Sequence, residues 1–71
     1  MAIIELIVIK DDFITLGQFL KLVDLISSGG EFKHFISSNE VYVNEEKEDR
    51  RGRKLFKDDI VVVCGKTYKI C

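Results

Sequence analysis

A short basic run between positions 50 and 57 contains the residues in this chain that are best suited to chemistry. The run has three arginines, two lysines and no acidic residue: Arg50, Arg51, Arg53, Lys54 and Lys57. The planar fork of an arginine donates two parallel hydrogen bonds to one phosphate, whereas a lysine supplies a compact point charge. Gly52 has no side chain, which lets the backbone bend and a partner approach closely. The run therefore predicts a site for the phosphates of a nucleic acid.

The overall charge of the chain does not by itself favour such a site. The 71 residues have a formal net charge of -1, and five acids stand against one lysine between Glu40 and Asp49. Polyanion binding depends on the local field, because exposed charges are screened beyond about 8–10 Å at physiological salt. A compact basic patch can thus act on a slightly acidic protein. The alternative is a solvated loop whose bases neutralise the acids from Glu45 to Asp49.

Residue types that carry catalysis or bind metals do not occur in productive spacings. His34 is the one histidine, and the sequence has no nucleophile motif, GxxxxGK[ST] phosphate loop or HExxH pair. Cys64 and Cys71 form no CxxC pair, so neither a disulfide framework nor a zinc site is indicated. We expect a buried thiol at Cys64, a frayed one at Cys71, and a reducing, cytoplasmic environment. The chain is predicted to be no enzyme and to need no cofactor, metal or small-molecule substrate.

The first segment predicts a strand. The run from Ile3 to Ile9 is rich in β-branched residues and ends at a charged Lys-Asp-Asp cluster. It is too short to cross a bilayer, which needs about 20 apolar residues, and no basic segment precedes it. We therefore expect no membrane span and no signal peptide.

Two helices should follow. Thr15 and Gln18 form a capping-box pattern, and the apolar spacing after them predicts a helix over residues 16–26. Ser28 and Glu31 repeat the capping pattern after a glycine pair, which predicts a short second helix that ends near position 38. The outer faces of the two helices carry polar residues that could form a second wall of a groove: Lys21, Lys33 and His34. His34 alone is weak support, since an isolated histidine is commonly an ordinary surface residue.

The glycines between the helices allow two interpretations. Gly29 and Gly30 permit a sharp turn, and their N–H groups could also bind an anion at the helix start. The second role is weakened by Glu31, which already satisfies the positive end of that helix.

The second half of the chain predicts strands. Strands are predicted at Val41–Val43, where the residue pattern alternates, and at the β-branched run Ile60–Cys64. A very short strand is indicated at Leu55-Phe56, and Gly65-Lys66 predicts a hairpin turn into Thr67–Cys71. The order predicts an α+β domain in which two short helices pack on a small, mostly antiparallel sheet. Two aromatic residues near the basic run could either stack on an unpaired base or pack as ordinary strand residues: Tyr42 and Phe56.

In combination these motifs resemble the S4 domain, an RNA-binding fold also called the alpha-L motif. The resemblance covers residues 15–63 and rests on four segments: Leu16-x-x-Phe19-Leu20-Lys21, Ser27-Ser28-Gly29-Gly30, Val41-x-Val43-Asn44 and Lys57-Asp58-Asp59-Ile60-Val61-x-Val63. Within the family the chain is similar to small stand-alone bacterial proteins that carry "T-L-G-Q-F-L-K" and "R-R-G-R-K-L", which stand here at residues 15–21 and 50–55.

The resemblance implies one S4-like domain over residues 1–71, with an added N-terminal strand. It also implies a cytoplasmic protein that binds structured RNA, expected to be ribosomal RNA, during assembly of ribosomal particles. Lys33 matches a basic position of the family. Two residues depart from the pattern, because Glu45 replaces the glycine of "V-N-G" and Glu31 stands where the family often has arginine. We therefore expect a different hairpin geometry at Glu45 and little phosphate capture beside Glu31.

A protein-interaction adaptor is the competing function. The apolar strand Ile3–Ile9 could lie at a sheet edge and recruit a strand of a partner. The separation of acids in residues 40–49 from bases in residues 50–57 could also steer a protein partner.

Overall fold

The computed structural model describes residues 3–71, which form seven strands and two α-helices. The strands are β1 (Ile4–Ile7), β2 (Phe13–Thr15), β3 (Val41–Val43), β4 (Glu46–Lys47), β5 (Lys54–Phe56), β6 (Ile60–Val63) and β7 (Lys66–Ile70). The helices are α1 (Leu16–Leu22) and α2 (Phe32–Ser38), and a 3₁₀ turn over Gly29–Glu31 leads into α2. No helix in this part of the chain is long and apolar enough to cross a membrane.

Five of these strands form one sheet in the order β1-β7-β6-β3-β4. Its pairs are antiparallel except for β1 and β7, which run parallel from Ile4 opposite Thr67 to Ile7 opposite Ile70. The α+β class, with two helices on a mostly antiparallel sheet, is thus confirmed. The N-terminal strand pairs within the same chain and forms one edge of the sheet.

Strands β2 and β5 form a separate two-stranded sheet that the sequence did not predict. Phe13 lies opposite Phe56, and Thr15 lies opposite Lys54, which belongs to the basic run and is the first residue of β5. This pairing brings the start of α1 next to the basic residues.

Helix α1 begins as predicted but is shorter. The Thr15 hydroxyl accepts from the Gln18 N–H at 3.3 Å, and the Gln18 side chain accepts from the Thr15 N–H at 2.9 Å, so the capping box is confirmed. The helix ends at Leu22 rather than Ile26, because Asp24 takes a left-handed conformation with φ 61°. The N–H groups of Leu25 and Ile26 both donate to the Leu20 carbonyl. Ile26 is thus part of the core, although it lies in a loop.

The start of the second helix differs from its prediction. The Ser28 side chain makes no capping hydrogen bond, and the Glu31 carboxylate instead accepts from the Ser27 N–H at 2.9 Å. The end of the helix is confirmed, since α2 stops at Ser38 and the Asn39 side chain donates to the Phe35 carbonyl at 3.1 Å.

The two hairpins of the main sheet have left-handed two-residue turns. Cys64 and Gly65 have φ 53° and 74° and join Val63 to Lys66, so the turn lies one residue earlier than predicted. Asn44 and Glu45 have φ 51° and 72° and join β3 to β4. Strand β4 lies in the acidic segment after Asn44, where only a turn was expected. Glu45 thus adopts a conformation that glycine tolerates best, which keeps the tight hairpin despite the missing glycine.

The core lies between the main sheet and the helices. Its fully buried residues come from α1, from β5 and from three strands of the main sheet: Leu16, Phe19, Leu20, Leu55, Val41, Val43, Val61, Val63 and Ile70. Phe19 packs edge-on against Tyr68 with ring centroids 5.2 Å apart, which ties α1 to β7. Burial of Leu16 and Leu55 fixes the two elements that carry the basic residues.

Both cysteines have environments that differ from those expected. Cys64 is exposed in its hairpin turn rather than buried. Cys71 is partly buried rather than frayed, since its N–H donates to the Ile7 carbonyl and its carbonyl accepts from the Ile9 N–H. The parallel pairing with β1 holds the chain end in place.

Candidate nucleic-acid interface

The first half of the basic run forms a loop over residues 50–53, here called the basic loop, that is bound directly to the start of α1. The Leu16 N–H donates to the Arg53 carbonyl at 2.8 Å, and the Gly17 N–H donates to the Arg51 carbonyl at 3.0 Å. The first N–H groups of a helix have no partner within the helix, so the loop supplies the acceptors. The basic loop and α1 are therefore held together as one unit.

Glu48 organises two of the three arginines. Its side chain is only 6% exposed and accepts from Arg50 through both carboxylate oxygens, at 2.9 and 3.1 Å, and from Arg53 at 2.7 Å. The hydrogen bond from the Arg50 side chain is the main cause that lowers the pKa of Glu48 from 4.5 to about 2, against the opposing effect of burial. Glu48 in turn raises the pKa of Arg50. Arg50 and Arg53 thus both pair with a preceding acid, which is the contact that the alternative interpretation predicted, while the exposed Arg50 side chain keeps N–H donors that Glu48 does not bind.

Arg51 has a different environment. Its side chain crosses to the turn before α2, where a guanidinium N–H lies 3.5 Å from the Gly29 carbonyl. Within residues 3–71 no acidic side chain forms a salt bridge with Arg51. Its charge is therefore available to an external anion.

Gly17 makes room for that arginine. A Cβ at Gly17 would lie 2.6 Å from the Arg51 Cγ, which is closer than a real Cβ approaches another atom. The side chain of Arg51 can lie flat across α1 because position 17 has none. Our sequence analysis did not single out Gly17, although a glycine in the first turn of a helix is unfavourable unless something packs on it.

Arg51 separates two open clefts. One, of about 350 Å³, is lined by α1, the turn before α2 and the basic loop: Thr15, Gly17, Gln18, Lys21, Gly29, Arg51 and Gly52. The other, of about 380 Å³, is lined by Gly29, Gly30, Phe32, Lys33, Asp49 and Arg51. The structure thus brings together five of the predicted site residues, which we call the Arg51 face: Lys21, Gly29, Gly30, Lys33 and Arg51.

Comparisons with known proteins identify the family of the chain. The model of the S4 domain family matches residues 7–71. The chain belongs to the S4 domain family. It is also similar to a protein of Bacillus subtilis (strain 168) named "Probable ribosome maturation protein RlbA", with 56% identity over 57 residues that cover 80% of each chain. No solved structure gives a significant match. The family match extends the resemblance from residues 15–63 to residues 7–71, which adds the rest of β2 and all of β7.

The remaining predicted site residues of this S4 domain do not line the two clefts of the Arg51 face. Arg50, Arg53 and Lys54 line a cleft on the other side of the basic loop, together with Gly52 and Phe56.

His34 and Lys57 are separate from both groups. His34 lines a cleft with Leu25, Ile26 and Glu31, whereas Lys33 lines a cleft with Arg51. Lys57 is exposed in the turn between β5 and β6. Within the described residues no three histidine, cysteine, aspartate or glutamate side chains come close enough to hold a metal ion.

Proposed function

We propose that this S4 domain binds structured RNA through the Arg51 face, and that its target is ribosomal RNA in a maturing subunit. The observation that supports this most strongly is the position of Arg51, which has no acidic partner in the described chain and lies where two clefts meet. The role is one of binding rather than catalysis, and it is exercised in the cytoplasm.

The Arg51 face suits a folded RNA backbone. A-form RNA hides its base edges in a narrow major groove, so a small domain recognises mainly its shape and its phosphates. Arg51 supplies a planar donor for one phosphate, and Lys21 and Lys33 supply point charges in the clefts on either side. Gly29 has no side chain, which leaves room for the Arg51 guanidinium, and Gly30 beside it leaves the turn open to an RNA backbone.

The ribosomal target rests on similarity. The relative with 56% identity is named as a probable ribosome maturation protein, and we extend that role to this chain. Crosslinking in cells, followed by sequencing of the attached RNA, tests the extension. We expect ribosomal RNA to be enriched with the wild-type protein and reduced with Arg51→Ala. Crosslinks spread evenly over unrelated RNAs would contradict the proposal.

A second candidate function is that of an adaptor that receives a partner strand at β1. Leu6 and Val8 are 62% and 77% exposed. The Ile9 N–H and the Ile7 carbonyl face Cys71, so the backbone groups of the alternate residues Leu6 and Val8 face the free edge. Leu6→Lys should abolish capture of a partner strand and leave RNA binding intact. Loss of RNA binding in Leu6→Lys, with the protein folded, would show that the two surfaces are not independent.

A further inference from the structure

Phe56 is a large apolar residue with an exposed ring beside the basic loop. We propose that Phe56 and the basic side chains next to it form a site for one unpaired nucleotide. The nucleobase stacks on the Phe56 ring, and the phosphate contacts Arg50 and Lys54. The inference rests on the proposed function, since it concerns which RNA the S4 domain selects.

The alternation of β5 sets the ring in this position. Leu55 is fully buried, so its neighbours Lys54 and Phe56 project to the opposite side of the strand. Phe13 on β2 lies opposite Phe56, with ring centroids 5.8 Å apart and planes at 49°. Phe13 thus supports one side of the Phe56 ring, while 48% of the Phe56 surface remains open to solvent.

The ring lies in a basic cleft. An open volume of about 540 Å³ is lined by Arg50, Gly52, Arg53, Lys54 and Phe56. The Arg50 side chain is 71% exposed despite its bond to Glu48, which occupies its Nε and one terminal nitrogen and leaves other N–H donors free. The Lys54 ammonium lies over the neighbouring Phe13 ring, 4.8 Å from its centroid.

An aromatic ring together with several cations matches the two parts of a nucleotide. Bases that have left a helix stack on aromatic side chains, whereas phosphates bind arginine and lysine. A peptide would need apolar pockets or an acidic segment, and the exposed apolar surface here is essentially one ring. We therefore favour a nucleotide.

The site is continuous with the Arg51 face through Gly52, which lines both the Phe56 cleft and the cleft beside Lys21. A Cβ at position 52 would meet nothing within 4 Å, so the space beside Gly52 is open. One RNA can thus place a helical segment on the Arg51 face and an adjacent bulged nucleotide on Phe56. The selected substrate is a helix with an unpaired residue beside it.

The test uses two RNA hairpins with the same stem, one with a single bulged 2-aminopurine and one fully paired with the fluorophore inside the stem. We expect the wild-type protein to bind the bulged hairpin between about 5-fold and 150-fold more tightly, which is the range given by stacking of one base. Stacking on Phe56 should also quench the bulged fluorophore. Phe56→Leu should lose both effects and bind the two hairpins equally, whereas Phe56→Tyr should keep both.

Tyr42→Leu is the matched control, because Tyr42 is an aromatic strand residue on the main sheet, paired with Val62. It should retain the preference and the quenching. The inference is overturned if the wild-type protein binds both hairpins equally, or if Phe56→Leu retains the preference and the quenching. Should Phe56→Leu fail to fold, equal binding of the two hairpins by the wild-type protein, or loss of the preference in Phe56→Tyr, still overturns the inference. If the wild-type protein binds neither hairpin nor ribosomal RNA fragments, the proposed function itself fails.

Discussion

Replacement of Glu48 by glutamine removes the carboxylate that holds Arg50 and Arg53. The lowering of the Glu48 pKa from 4.5 to about 2 corresponds to about 3.4 kcal/mol, at about 1.36 kcal/mol for each unit of pKa. That value is an upper bound, because the Arg50 side chain is 71% exposed and solvent screens its charge. We expect Glu48→Gln to lower the free energy of unfolding at pH 7 by about 1–2 kcal/mol.

The same contact predicts a pH dependence with a defined sign. The folded-state pKa of Glu48 lies below its ordinary value, so the contribution is complete above about pH 4.5 and is lost as the pH falls toward about 2. At the acid end a protonated glutamate resembles glutamine. The difference in unfolding free energy between wild type and Glu48→Gln should therefore shrink over that interval.

Urea denaturation at several pH values between 7 and 2 measures this difference. Glu46→Gln is the matched control, because Glu46 is an exposed acid on β4, close to Glu48 in sequence. Its stability should follow the wild-type curve. A difference between wild type and Glu48→Gln that stays constant from pH 7 to pH 2 would refute the reasoning, as would equal stability at pH 7.

Three further predictions concern stability and the support of the site. Gly17→Ala should lower the free energy of unfolding by about 1–3 kcal/mol, because the added Cβ would overlap the Cγ of Arg51, whose carbonyl is held by the Gly17 N–H, and it should weaken RNA binding; unchanged affinity would count against the role of that packing. Glu45→Gly should stabilise the protein by about 1 kcal/mol in thermal denaturation, because Glu45 has φ 72°, and a destabilised variant would contradict this. Thr15→Ala should cost about 1 kcal/mol through loss of the capping box, and an unchanged melting temperature would argue against it.

Local patterns in the sequence were sufficient for part of the fold. The capping box at Thr15 and the alternation of Val41–Val43 depend on neighbours only a few residues away, and both structures formed as predicted. Strand β2 was missed because its partner β5 lies about 40 residues later, and three residues alone carry no clear alternation. The early end of α1 was missed because Ile26 continues the apolar spacing, although it is buried from a loop.

The composition of the charge run placed three arginines in one predicted site, but it does not show how the contacts of these arginines differ. The charge run identified Arg50, Arg51 and Arg53 as one group, whereas the structure assigns Arg50 and Arg53 to Glu48 and places Arg51 on α1. That division depends on the burial of Glu48, which no local pattern reveals. It also depends on Gly17, whose role appears only when the basic loop is folded against α1.

Binding of ribosomal RNA fragments by wild type and Arg51→Ala over a salt series tests the proposed RNA interface most directly. We expect Arg51→Ala to lower affinity about 10-fold and to reduce the slope of log affinity against log salt by about 0.7–0.9, which corresponds to one phosphate. Lys66→Ala, which removes one exposed charge on the β6–β7 hairpin, should leave the slope unchanged. Equal affinity and equal slope for wild type and Arg51→Ala would contradict RNA binding through the Arg51 face.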